Sequence, residues 1–272
     1  MTDVFLEEYT ADEAVRRYGT DTAGYGISYL LEHDYGRIYR RVLTKYLPAS
    51  ATRNGLRLLE FGCGAGMNLI HLVGQAESMK IPVARAYGAD FSPKLIEAAR
   101  ADADRIVAPR SRKNVDFVVA RNETIVADIA AATNVAPDAL LGSFHIVFGV
   151  NTFRYCHRMQ KEVETARQLF DLLAPGCVCV IIDMNTQFPF FRSKLKQGQY
   201  ADESEVYIPV LEEYVRPLAT VGFDILEARN FCWTPHSAGP ALCRISRVLT
   251  PVLDTVASRY AMRSLVIARR PA

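Results

Sequence analysis

Apolar residues along this chain arrive in two alternating rhythms. Short apolar runs fit strands at Arg57–Phe61, Arg85–Asp90, Val115–Ala120, Phe144–Val150, Cys177–Asp183, Asp224–Phe231 and Ser264–Arg269. Between them, apolar positions recur every three or four residues, which predicts helices near 67–77, 93–105, 124–133, 159–174 and 209–221. Such alternation is the pattern of an α/β protein, with seven strands in a mostly parallel sheet flanked by helices. Upstream, 11–17 and 28–46 read as helical, the latter carrying a stripe of Ile38, Tyr39 and Val42.

The first strand ends in Glu60-Phe61-Gly62-Cys63-Gly64-Ala65-Gly66, and a helix follows at once. Glycines there let the backbone turn and let a ligand approach without a Cβ in the way. The second strand also ends in an acid, Asp90, followed by Phe91. Both features suit a nucleoside cofactor. A dinucleotide fingerprint needs a third glycine that would fall at Met67 or Leu69.

The E-x-G-x-G-x-G run resembles motif I of the class I S-adenosylmethionine-dependent methyltransferases. The resemblance covers residues 56–183 well and the remainder loosely, and it implies a Rossmann-like sheet with helical cap elements. It also implies S-adenosylmethionine as cofactor, with S-adenosylhomocysteine as product. Glu60 would then lie near the methionine end, with Gly62, Cys63 and Gly64 giving close backbone approach. Asp90 would accept the ribose hydroxyls and Phe91 would lie against adenine. The family often places an acid after the third strand, but Arg121 stands there, leaving Asn122 or Glu123 to reach adenine. The usual aspartate of the fourth strand is replaced by His145.

Residues 1–48 precede the first strand, where this family often has a helical lid, so Tyr25 and Tyr29 could edge the substrate or simply pack. Residues 49–272 form the catalytic domain, with cap-like insertions at 184–208 and 233–262. Long connections of this kind are usually functional or partly folded. The second insertion predicts a helix over 241–260 with Leu242, Ile245, Leu249, Leu253 and Val256 inward.

Candidate chemistry concentrates after the fourth strand, whose carboxyl end should face the cofactor crevice. Asn151, Arg154, Tyr155 and His157 offer polar groups within one turn. His157 could take a proton from a hydroxyl or cap the next helix. Arg154 could clamp a substrate anion or pair with a local acid. Asp183, ending the fifth strand, is a candidate base or a turn cap. His236, in the second insertion, is a further substrate-binding candidate. Methyl transfer needs a base only if the acceptor keeps its proton until attack.

The chain has 272 residues, half of them apolar, and a net charge of +2. That balance gives no general electrostatic case for nucleic acid. No apolar run approaches the roughly 20 residues needed to span a bilayer. A soluble, cytoplasmic enzyme is expected. Six cysteines show no metal-ligand spacing, so buried thiols are expected rather than a metal site. Arg244, Arg247, Arg259, Arg263, Arg269 and Arg270 make the C-terminal part basic. This is either a solvated face or a hint of an anionic acceptor. The sequence therefore points to methylation of a small molecule or glycan, with oxygen the favoured atom. An RNA or protein methyltransferase would need an open groove with a continuous basic path. A non-methylating enzyme or a non-catalytic cofactor-binding protein of this fold remains an alternative.

Overall fold

The computed structural model describes residues 24–189 and 208–272. Seven strands form one sheet in the order β3-β2-β1-β4-β5-β7-β6. They are β1 (Leu56–Phe61), β2 (Val83–Asp90), β3 (Val115–Val119), β4 (Phe144–Val150), β5 (Leu173–Met184), β6 (Asp224–Phe231) and β7 (Arg263–Arg269). The first five run parallel, and β7 is antiparallel to both β5 and β6. Because β7 runs backwards, its first residue lies beside the carboxyl end of β5: Arg263 pairs with Met184 and Ser264 with Asp183.

Helices cover both faces, which is why the central strands are apolar on both sides rather than alternating. One face meets α1, a continuous helical run from Tyr25 to Tyr46 that includes π-helical turns at Leu30–Tyr35 and Val42–Tyr46. It also carries α2 (Met67–Ser78) and α3 (Pro93–Ile106). Leu56 and Leu58 of β1 pack with Tyr39 and Val42 of α1 in this core. The other face meets α4 (Ile125–Thr133), α5 (Phe153–Arg158), α6 (Glu162–Leu172) and α7 (Leu211–Thr220). Leu59 and Phe61 point into that second core. The period of two then puts Glu60 on the α1 face.

Several boundaries differ from the sequence expectation. The helix expected over 159–174 is α6 alone; it begins only at Glu162, because Gln160 takes a left-handed conformation (φ 57°) between α5 and α6. Lys161 N closes that turn onto Cys156 O at 2.8 Å. β5 starts at Leu173, so Pro175-Gly176 lies within the strand rather than before it. The lid helix expected over 11–17 lies outside the described residues. So does most of the first insertion, including Phe190, Phe191, Arg192 and Tyr200.

The helix of the second insertion, α8 (Pro240–Val256), faces the opposite way from expectation. Cys243 and Ser246 are buried, while Leu242, Ile245 and Leu249 are exposed and Val248 and Val256 are each 74% exposed. Polar anchors set this orientation. Ser246 Oγ lies 2.8 Å from Thr234 Oγ1, and Trp233 Nε1 donates to Asp254 Oδ1 at 2.8 Å. Cys243 completes the contact by packing with Tyr29 and Ala238. Among the described residues, no helix is long and apolar enough to cross a membrane. All six cysteines are buried free thiols.

Candidate functional site

Between β1 and α2 the glycine loop folds tightly. Gly66 N donates to Cys63 O, and Cys63 N donates to Ala89 O on β2, both at 2.9 Å. Gly62 and Gly64 both have positive φ (59° and 53°), yet they serve different ends. A Cβ at Gly62 would collide with the Thr152 side chain, just past β4. A Cβ at Gly64 would meet open space. Gly62 is therefore required by the protein's own packing, and Gly64 leaves room beside the loop for something else.

Two carboxylates stand by this space. Glu60 Oε2 accepts from Leu69 N at 2.9 Å, at the start of α2. Asn68 also bonds Glu60, and Tyr39 OH donates to Asn68 Oδ1 at 3.1 Å. Asp90 accepts from Gly64 N and Ser92 N, each at 2.9 Å, one on each oxygen. Both acids are buried. Burial pushes the Glu60 carboxyl well above the usual carboxylate range and raises Asp90 as well. Among the described residues neither forms an ion pair.

The next strands add further polar groups. Asn122 Nδ2 donates to Thr152 Oγ1 at 3.3 Å and lies 3.6 Å from Cys156 Sγ, joining the end of β3 to α5. Glu123 sits 3.7 Å from Arg121 Nη1. Asn151, at the end of β4, has positive φ (56°), and its buried Oδ1 has no partner. Phe91 is half-buried after Asp90.

The candidates for catalysis are separated. Asp183 is fully buried, with its oxygens accepting from Arg154 N (3.0 Å) and Met184 N (2.8 Å). It thereby ties the start of α5 to the end of β5. His157 lies apart from Asp183. Its ring stacks edge-on against Phe153 and Tyr214 in the helical flank, centroids 5.3 and 5.8 Å away. There it lines a small cavity of about 200 Å³ with Glu162, Glu213 and Arg216. Phe153 and Tyr214 belong to the core opposite α1, away from Glu60. Desolvation lowers the His157 pKa. Tyr155 remains beside Arg154, whose guanidinium lies over its ring (4.3 Å) and donates to its hydroxyl at 2.5 Å.

Tyr29 is taken up by packing against Ala238 and Cys243, with His33 at 4.5 Å, whereas Tyr25 is 52% exposed at the start of α1. His236 is not the loosely solvated histidine a loop position suggests. Its residue surface is exposed, while the atoms around the ring and the Arg263 charge lower its pKa to about 3. Its Nε2 lies 3.0 Å from Arg263 Nη2, and Arg263 Nε donates to Tyr35 OH at 3.2 Å. Arg263, one of the C-terminal arginines read as either a solvated face or a hint of an anionic acceptor, is only 4% exposed. In the sequence it stands just before the strand expected at Ser264–Arg269. His145 is structural, since its Nδ1 accepts from Arg57 N at 3.0 Å and ties β4 to β1.

A methyltransferase domain model matches residues 31–228 of the chain. The chain belongs to the methyltransferase domain family. Its cofactor is S-adenosylmethionine. No curated protein matches this methyltransferase. Its fold is similar to the CMeT domain of the citrinin polyketide synthase (TM-score 0.58, 19% identity, 96% of this chain and 57% of that one). It is also similar to phosphoethanolamine N-methyltransferase 2 of Haemonchus contortus in complex with S-adenosyl-L-methionine (TM-score 0.58, 17% identity, 98% and 60%). A third similar structure is an S-adenosylmethionine-dependent methyltransferase from Mesorhizobium loti (TM-score 0.55, 18% identity, 88% and 100%). The chain thus spans little more than half the length of the first of these. The loop residues fit a cationic cofactor: open space at Gly64 adjoins the buried Asp90, Glu60 is buried at the start of the same loop, and neither carboxylate has a cationic side chain among the described residues.

Proposed function

We propose that this methyltransferase acts on a small molecule or glycan in a pocket beside α1 and the second insertion, with oxygen the favoured acceptor atom. S-adenosylmethionine supplies an electrophilic methyl group when bound. Glu60 holds its amino group, Asp90 its ribose hydroxyls, and the Cys63-Gly64 backbone lies against it. Phe91, with Asn122 and Glu123, contacts the adenine. The observation that carries this placement is the pair of buried carboxylates without a cation, on the same sheet face as α1.

On the acceptor side, Asn151 and Arg154 orient the substrate, with His236 and Tyr25 nearer the mouth. Tyr155 is the group left to receive a hydroxyl proton, because His157 lies in the helical flank and the Asp183 oxygens hold backbone N–H groups. The Arg154 guanidinium donates to the Tyr155 hydroxyl at 2.5 Å and fixes where that oxygen points. Orientation carries much of the acceleration in such a displacement. A shared fold with enzymes named for phosphoethanolamine and for a polyketide synthase does not set the acceptor atom.

Methyl-labelled S-adenosylmethionine, incubated with the protein and extract of the source organism, tests this. Label is expected in a small-molecule or glycan fraction and falls with Tyr155→Phe. Label in RNA or protein would refute the small-acceptor assignment.

A further inference from the structure

We propose that Arg263, together with His236 and Tyr35, receives an anionic oxygen group of the methyl acceptor. The inference deepens the proposed function and rests on its small-acceptor reading. Arg263 is the first residue of β7, at the end of the sheet where β1 and β2 present Glu60 and Asp90. It faces the α1 side, since Leu265 and Ile267, two and four residues on, pack in the same core as α1. Its surroundings are unusual for a guanidinium that is 4% exposed. Nε meets a phenol and Nη2 meets an imidazole, while the buried Nη1 has no partner. Among the described residues it forms no ion pair.

The two groups it does meet are neutral. Burial raises Tyr35 to about 12, and His236 falls to about 3. Asp183 acts on Arg263 only through its field, because its oxygens already hold the N–H groups of Arg154 and Met184. A buried charge left without a counter-charge or a full set of hydrogen bonds is destabilising. Arginine presents a planar fork that matches two oxygens of a carboxylate or phosphate. One prong, Nη1, is unsatisfied, and the other is held by a weak neutral acceptor on an exposed residue. An incoming oxyanion would satisfy Nη1 and compete with His236 for Nη2. His236 therefore stands at the entrance and Arg263 at the floor.

The test titrates the full chain, saturated with S-adenosylhomocysteine, with inorganic phosphate and separately with acetate at fixed ionic strength, followed by calorimetry. Saturating cofactor product matters because it carries its own carboxylate. Saturable binding of at least one anion is expected, weakened at least about tenfold by Arg263→Lys, which keeps the charge and loses the fork. Preference for phosphate would indicate a phosphate-bearing acceptor, and preference for acetate a carboxylate. Retained S-adenosylhomocysteine binding shows that the variant is folded. If Arg263→Lys fails that check, His236→Gln is read instead, with at least a severalfold change in anion affinity expected. No saturable binding to the wild type, or equal binding to the variant, overturns the inference. So does anion binding seen only without S-adenosylhomocysteine, which would assign Arg263 to the cofactor's own carboxylate. A failure here leaves S-adenosylhomocysteine binding intact. Failure of the small-acceptor reading would appear instead as label in polymer fractions.

Discussion

Two sets of buried charge lie at the same end of this sheet with opposite signs. At β1 and β2, Glu60 and Asp90 are carboxylates fastened by backbone N–H groups and facing no cation among the described residues. At β7, Arg263 is a guanidinium held by neutral side chains and facing no anion within reach among the described residues. The first set joins the ends of two adjacent strands through one loop, with 26 positions between Gly64 and Asp90. The second joins Tyr35, His236 and Arg263, with Tyr35 and Arg263 separated by 228 positions. Each set is incomplete in the way that a ligand of opposite charge would complete. The cofactor side is thus built by local loop geometry, and the acceptor side by packing α1 and the second insertion onto the sheet.

The largest effects should come from the glycine loop. Gly62→Ala forces a Cβ into Thr152 at positive φ, and is expected to cost about 2–4 kcal/mol of stability, read from urea unfolding. Gly64→Ala should cost only about 1 kcal/mol, from backbone strain, while weakening S-adenosylhomocysteine about tenfold or more by filling the open space. Equal losses of stability in the two variants would break the distinction between the glycines. Asp90→Ala should weaken S-adenosylhomocysteine about tenfold to a hundredfold, the range for hydrogen bonds to a charged group. Unchanged affinity would remove Asp90 from the cofactor side.

A smaller effect separates the cationic set. The unfolded chain protonates His236 near 6.5, while the folded chain resists to about 3. Its contribution to stability is therefore complete above pH 6.5 and is lost as pH falls from there toward 3. Glu60, Asp90 and Asp183, with raised pKa values, push the opposite way as they take up protons. The quantity to read is thus the difference from wild type: His236→Gln should lose less stability between about pH 7 and about pH 5. An identical pH profile would show that the ring is not held neutral. The smallest change belongs outside both sets. Val248→Ser, at a 74% exposed position on α8, should alter stability by less than about 0.5 kcal/mol, read from the same urea unfolding.

What could be read from the sequence follows the same division. All seven strands and the glycine loop are local signals, and each apolar run lies within or overlaps its strand, though β5 begins four residues earlier than its run. The break at Gln160 was hidden because a left-handed turn at a glutamine has no strong residue signature. The face of α8 was misjudged because helical periodicity identifies an apolar stripe without saying that anything covers it. Here a hydroxyl pair and a tryptophan hydrogen bond turned the helix the other way. His157 and Asp183 looked catalytic because they follow strand ends. Their neighbours, Tyr214 and the backbone of Arg154 and Met184, come from elements that no spacing in the sequence connects. Arg263 stood just before the strand expected at Ser264–Arg269, as one of several C-terminal arginines, and nothing in its spacing pointed to its partners.

The reversed direction of β7 also bears on how such a chain can diversify. A strand that enters the sheet from the ligand end brings the segment before it to the same rim as the segment leaving β5. Insertions or deletions in either segment can then reshape what enters the pocket without disturbing the loop between β1 and α2. The fold separates a module of fixed chemistry from an exchangeable one, so new acceptors can be explored by changing loop length alone.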